Sequence, residues 1–120
     1  MPHRAATVPI HEMKADLFKA LAHPLRVRAL ELLAEREQPV SALLADMGIE
    51  ASHLSQHLAV LRRAGVVTAV REGNTVTYAL ADPSVADMLG AARTFLLRRL
   101  DATTGALSGL TDGAPAAPRA

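Results

Sequence analysis

Ala51-Ser-His-Leu-Ser-Gln-His-Leu-Ala-Val-Leu-Arg-Arg-Ala-Gly65 is the stretch whose reading decides the fold. Leu54, Leu58 and Leu61 recur at i, i+4 and i+7, which puts them on one face of a helix and turns that face to a core. The other side carries Ser52, His53, Ser55, Gln56 and His57, hydrogen-bonding groups with almost no fixed charge. Arg62 and Arg63 fall in the last turn, and Gly65 supplies the left-handed residue at which helices commonly stop. A helix that buries leucines and offers Ser, Gln and His over its N-terminal half suits contact with base edges in a DNA major groove. Taken alone, the pattern also fits an ordinary amphipathic surface helix, so the flanking segments decide.

Upstream, Pro39-Val-Ser-Ala-Leu-Leu-Ala-Asp-Met-Gly48 predicts a short helix. Val40, Leu43, Leu44 and Met47 keep helical spacing, and Gly48 ends it. Ile49 and Glu50 leave room only for a tight turn, so the pair forms a helix-turn-helix candidate. Downstream, Val66–Arg71 and Thr75–Leu80 are rich in β-branched residues, and Glu72-Gly73-Asn74 between them suits a hairpin loop with Arg71 at its tip. In the second strand Val76, Tyr78 and Leu80 alternate with small or polar residues, which gives it one apolar face.

Three longer helices flank this unit. His11–Ala22 ends before Pro24, whose ring disfavours helix at His23, and Leu25–Glu35 follows. Asp82-Pro83-Ser84 opens the last helix with a capping side chain and a first-turn proline, and the apolar pattern runs to about Asp101. The expected architecture is mainly α with a small β-hairpin in the order α-α-α-α-β-β-α, a dimeric winged helix-turn-helix with the hairpin as wing. Its folded domain spans residues 11–101, between a flexible arm at 1–10 and a disordered tail at 102–120 that is poor in large apolar groups.

Composition sharpens this. The 120 residues are 50% apolar but include only two Phe, one Tyr and no Trp. A core of Leu, Val, Ala and Met buries little area per side chain, so a lone protomer is marginal and burial against a second copy is expected. The first and last helices carry apolar surface beyond what the middle of the chain can cover. Leu17, Leu21, Val85, Leu89, Phe95 and Leu96 are the interface candidates. Net charge is only +1, yet six arginines between Arg62 and Arg99 face just Glu72, Asp82 and Asp87 in that span. Such a local excess suits phosphate contacts by Arg62, Arg63 and Arg71. Cysteine is absent, which excludes disulfide and thiolate chemistry. No apolar run reaches bilayer length and no signal peptide is evident, so no membrane partner and a cytoplasmic location are expected.

These blocks, in this order, resemble the ArsR/SmtB family of winged-helix transcriptional regulators. The resemblance rests on Phe18-Lys-Ala-Leu-Ala-His-Pro-Leu-Arg-Val-Arg-Ala-Leu-Glu-Leu-Leu33, Val40-Ser-Ala-Leu-Leu44, Ser52-His-Leu-Ser-Gln-His-Leu58, Leu61-Arg-Arg-Ala-Gly-Val-Val67, Arg71-Glu-Gly73 and Tyr78-Ala-Leu80. It implies a homodimer, joined through its first and last helices, that binds a partly palindromic double-stranded operator. It also marks two departures. Where many members carry a cysteine pair, this chain has Ala42, Leu43, Leu44 and Ala45; where others place Asp, His and Glu ligands on the last helix, it has Asp87 and no histidine beyond His57. Neither metal site carries over, and the effector, whether metal, small ligand or accessory protein, stays open.

Five histidines remain. His53 and His57 sit one turn apart on the helix that faces DNA, where base or phosphate contact outweighs chelation. His23 reads as structural; Arg26 and Arg28 either contact phosphates or, the preferred reading, solvate the second helix. His3 and His11, near a flexible end, are the candidates for nickel or zinc. No carboxylate is paired with a nucleophile or base, and no glycine loop suits phosphate, so no enzyme is expected. The alternative to a DNA-binding regulator is a winged-helix protein-interaction module without specific DNA binding.

Overall fold

A computed structural model describes residues 8–103, in which α1 (Ile10–Leu21), α2 (Pro24–Glu35), β1 (Gln38–Pro39), α3 (Val40–Met47), α4 (Ala51–Arg63), β2 (Val67–Glu72), β3 (Thr75–Leu80) and α5 (Pro83–Thr103) follow one another. The expected arm and tail lie largely outside these residues; Ile10 is already helical, and α5 continues two residues past Asp101.

Local chemistry sets the boundaries. His23 is extended and caps α2, its ring accepting the Leu25 backbone N–H, with Pro24 in the first turn. Gly48 closes α3 at φ 64° and donates its N–H to the Leu44 carbonyl. At the end of α4, Gly65 (φ 79°) donates to Arg62 and Val66 to Leu61, a Schellman pair that turns the chain straight into β2. Asp82 accepts both the Ser84 N–H and the Ser84 hydroxyl at the head of α5.

The hairpin is tighter than the sequence suggested. Glu72 pairs with Thr75, leaving Gly73-Asn74 as a two-residue loop. Only Gly73 has positive φ, as a type II′ turn requires. The hairpin is also not alone. Gln38 and Pro39 pair antiparallel with Tyr78 and Thr77, so the sheet has three strands in the order β1-β3-β2. Two residues show no alternation, and Pro39 argues against a strand except at an edge, where it lies. Pro39 therefore precedes α3 rather than starting it. Gln38 is buried, and its amide donates to the Leu32 carbonyl at 2.9 Å, which fastens the sheet to α2.

Leu30, Leu43, Leu54 and Leu61 are fully buried at the centre, one or two from each of α2, α3 and α4. Val66 and Val67 close the core from the start of the hairpin. Two of the interface candidates also belong here, which corrects the sequence reading: Leu21 and Val85 are 8% and 7% exposed within the single protomer. Each lies where its helix crosses the core, at the end of α1 and the start of α5. Leu17 and Leu89 are partly buried against the same cluster. Among the described residues the exposed large apolar groups are instead Ile10, Met13 and Phe18 on α1 and Phe95 and Leu96 on α5, with Val8 ahead of α1 and Val70 on β2. Phe18 stands about 100° around the helix from Leu17, so it faces away while its neighbour packs inward.

Leu43→Ala should lower stability by about 2–5 kcal/mol, the range for emptying a fully packed leucine site. Urea denaturation at one fixed protein concentration would measure it.

Candidate nucleic-acid interface

The burial of Leu54, Leu58 and Leu61 fixes which side of α4 meets solvent. Ser52, His53, Ser55, Gln56, Arg62 and Arg63 are exposed. Their order along the helix is uncharged donors and acceptors first and guanidinium groups last. The first set can match base edges, whereas the second can hold phosphates without reading sequence.

The strand register places Arg71. Directly opposed residues of an antiparallel pair share a face. Arg71 opposes Val76 and Ala69 opposes Tyr78, while Glu72, Val70 and Thr68 oppose Thr75, Thr77 and Ala79 on the other face. Val76 and Tyr78 line a groove of about 550 Å³ between the wing and α4, together with Ser55, Leu58, Arg62 and Arg63. Arg71 thus lies on the groove side of the wing, and the acidic Glu72 lies on the opposite face with Glu37. Its guanidinium leans over the turn towards the Gly73 carbonyl at 3.5 Å. Tyr78 and Val76 were legible as an apolar strand face but not as groove wall, because only the packing of wing on helix brings them there.

His57 departs from the sequence reading. It is partly buried, and its Nδ1 accepts a hydrogen bond of 3.2 Å from Arg26 Nε, 31 residues away. The His23 ring lies against it, 4.3 Å between centroids at 47°. Desolvation, followed by the nearby His23, Arg26 and His53, holds its pKa below the usual 6.5. His57 is thus half-buried with its Nδ1 turned to α2, because its position on the helix lies between the leucine face and the exposed face. Arg26 is likewise not a solvating residue. A second nitrogen of the same guanidinium donates to the Ala20 carbonyl at 3.2 Å. Arg28 does stay at the surface, paired with Glu31 at 3.3 Å.

His3 lies outside the described residues. His11 is exposed at the start of α1, and among the described residues no three His, Asp or Glu side chains are grouped to hold a metal ion. Among those residues, too, no helix is long and apolar enough to cross a membrane.

Residues 23–69 match the model for the bacterial regulatory protein arsR family. The HTH-type transcriptional regulator Rv0081 of Mycobacterium tuberculosis strain H37Rv is 50% identical over 109 residues, which span 90% of this chain and 96% of that one. The crystal structure of M. tuberculosis Rv0081 superposes with a TM-score of 0.74 at 51% identity, over 81% of this chain and 98% of that chain. The solution structure of the homodimeric winged helix-turn-helix DNA-binding domain of Mb0332 from Mycobacterium bovis gives 0.72 at 30% identity, over 84% and 92% respectively. Helix-turn-helix, wing and near full-length likeness agree: this chain belongs to the ArsR family of transcriptional regulators and is not an enzyme.

Proposed function

We propose that two copies of this chain bind a partly palindromic operator, with one α4 in each of two successive major grooves. The observation that carries the reading is the sorting of groups around the groove. Ser55, Arg62 and Arg63 of α4 line it, Ser52, His53 and Gln56 are exposed on the same helix, and Arg71 lies on the groove side of the wing with Glu72 on the opposite face. Ser52, His53, Ser55 and Gln56 then meet base edges, and the arginines meet backbone phosphates on either side. His57 supports the helix from behind and is removed from the contact set.

The same reading assigns the dimer contact to Phe18, Phe95 and Leu96, exposed by 57%, 63% and 49% in one protomer. Exposed large apolar groups on both the first and last helices are what a second copy would cover, and the Mb0332 domain is described as homodimeric. The family's cysteine site is missing, since the chain has no cysteine, so any effector would bind elsewhere.

Gln56→Ala should cost about 1–3 kcal/mol on the cognate duplex and almost nothing on a scrambled one, because only the base-edge contact is lost. Isotherms on both duplexes at one salt concentration would check this, and equal losses would move sequence reading elsewhere. Arg71→Ala should weaken binding to both duplexes alike and lower the slope of log K against log salt by about one. A salt titration of each protein measures that slope. Leu96→Glu should convert the dimer to monomer in sedimentation without loss of helix by circular dichroism, since it sets an unpaired carboxylate in a dry contact.

A further inference from the structure

One guanidinium ties two distant parts of the fold together. Arg26 donates through Nε to His57 Nδ1 and through Nη1 to the Ala20 carbonyl, both at 3.2 Å. The first partner is on the recognition helix α4, and the second is in the last turns of α1, the helix that carries the exposed Met13 and Phe18. A guanidinium offers only donors and keeps its charge throughout the accessible pH range. The nitrogen it meets must hold a free lone pair, so His57 is neutral with its proton on Nε2. His23 is held in the same tautomer, because its Nδ1 accepts the Leu25 N–H at 3.1 Å. The two imidazoles lie in contact, and each has its Nδ1 committed to a donor.

We propose that Arg26 is a positioning residue for DNA recognition, fixing the attitude of α4 against α1 through uncharged His57, and that protonation of His57 releases the tie. The proposal rests on the assignment of α4 as the base-reading helix. The groups that face His57 are His23 from the α1–α2 junction, Arg26 from α2 and His53 one turn back on α4. From α1, Asp16 borders a cleft with Arg63 and Ala64 at the far end of α4, six residues beyond His57.

A proton on Nδ1 would remove the acceptor and set two cations face to face. Desolvation and then its neighbours already hold His57 below its usual 6.5, so the tied state binds fewer protons than the released one. The tie is thus intact above about 6.5 and is lost as pH falls from there through the lowered pKa. Base-edge contacts need a defined helix attitude, whereas phosphate contacts from flexible arginines tolerate a tilt. The effect should therefore appear in discrimination between sequences rather than in overall affinity. Were His57 a phosphate contact instead, acid would strengthen binding to every duplex.

The test uses the full chain, a duplex selected by it from a random pool, and a scrambled duplex, at one salt concentration and at pH 7.5 and 5.5. The readout is the ratio of the two dissociation constants. For the wild type that ratio should fall about tenfold on acidification. Arg26→Ala should show the reduced ratio at both pH values, with its scrambled-duplex affinity unchanged. His57→Asn, whose Oδ1 stands near the Nδ1 position and does not titrate, should keep the neutral ratio and lose its pH dependence while retaining His53. An Arg26→Ala ratio equal to wild type, or a His57→Asn ratio that still falls with acid, overturns the proposal. Long-range proton–nitrogen correlation spectra of the free protein at pH 7.5 give a reading independent of folding in the variants. They should show the Nε2–H tautomer at His57, and an Nδ1–H tautomer overturns the tie with no DNA present. A wild-type ratio of one at both pH values would defeat the base-reading assignment instead, and the tautomer would still decide the tie.

Discussion

Leu54, Leu58 and Leu61 pin one face of α4 into the core, and what the opposite face can do follows from that burial. Each fully buried leucine contributes about 1.5–3 kcal/mol relative to exposure, so three of them rival the net stability of a small domain, about 5–15 kcal/mol. The helix therefore cannot roll about its axis to offer another surface. Apart from His57, which Arg26 engages, its polar residues are left free for recognition. Leu30 and Leu43 meet this face from α2 and α3, and Val66 and Val67 continue it into the wing. Helix-turn-helix and hairpin are thus two ends of one packed cluster, with the groove between them.

Charge is sorted by the same geometry. A total of +1 would attract nucleic acid weakly if its charges were scattered. The period of two in β2 separates Arg71 from Glu72, sending the arginine to the groove side and the glutamate to the outer face. Arg62 and Arg63 reach the same groove from the last turn of α4, where the carbonyl end of the helix also favours positive charge. A one-residue slip of the hairpin would exchange these faces. The two-residue II′ loop at Gly73-Asn74 guards against that slip.

Much of this was legible in the sequence because it is local and periodic. Helix spacing at Leu54, Leu58 and Leu61, glycines at 48, 65 and 73, and the cap at Asp82 each act within a few residues. What escaped is long-range. Strand β1 has two residues and a proline, too few to show a period, and it exists because β3 offers it an edge. Leu21 and Val85 carry the same apolar signal as Phe95 and Leu96, and a helical pattern cannot tell a core-facing leucine from a partner-facing one. His57 looked like a contact residue because its helix looked like a contact helix. Its partners, His23 and Arg26, are 34 and 31 positions earlier in the chain, and no spacing rule joins them.

The central claim is that α4 reads DNA from two symmetry-related major grooves while the wing contacts the backbone beside them. Methylation protection maps this directly, since guanine N7 is in the major groove. On a duplex selected by this chain, two protected clusters related by a dyad and centred about 10 base pairs apart are expected, with hydroxyl-radical protection of the flanking sugars. A single cluster without dyad symmetry, or backbone protection with every N7 left reactive, would contradict it.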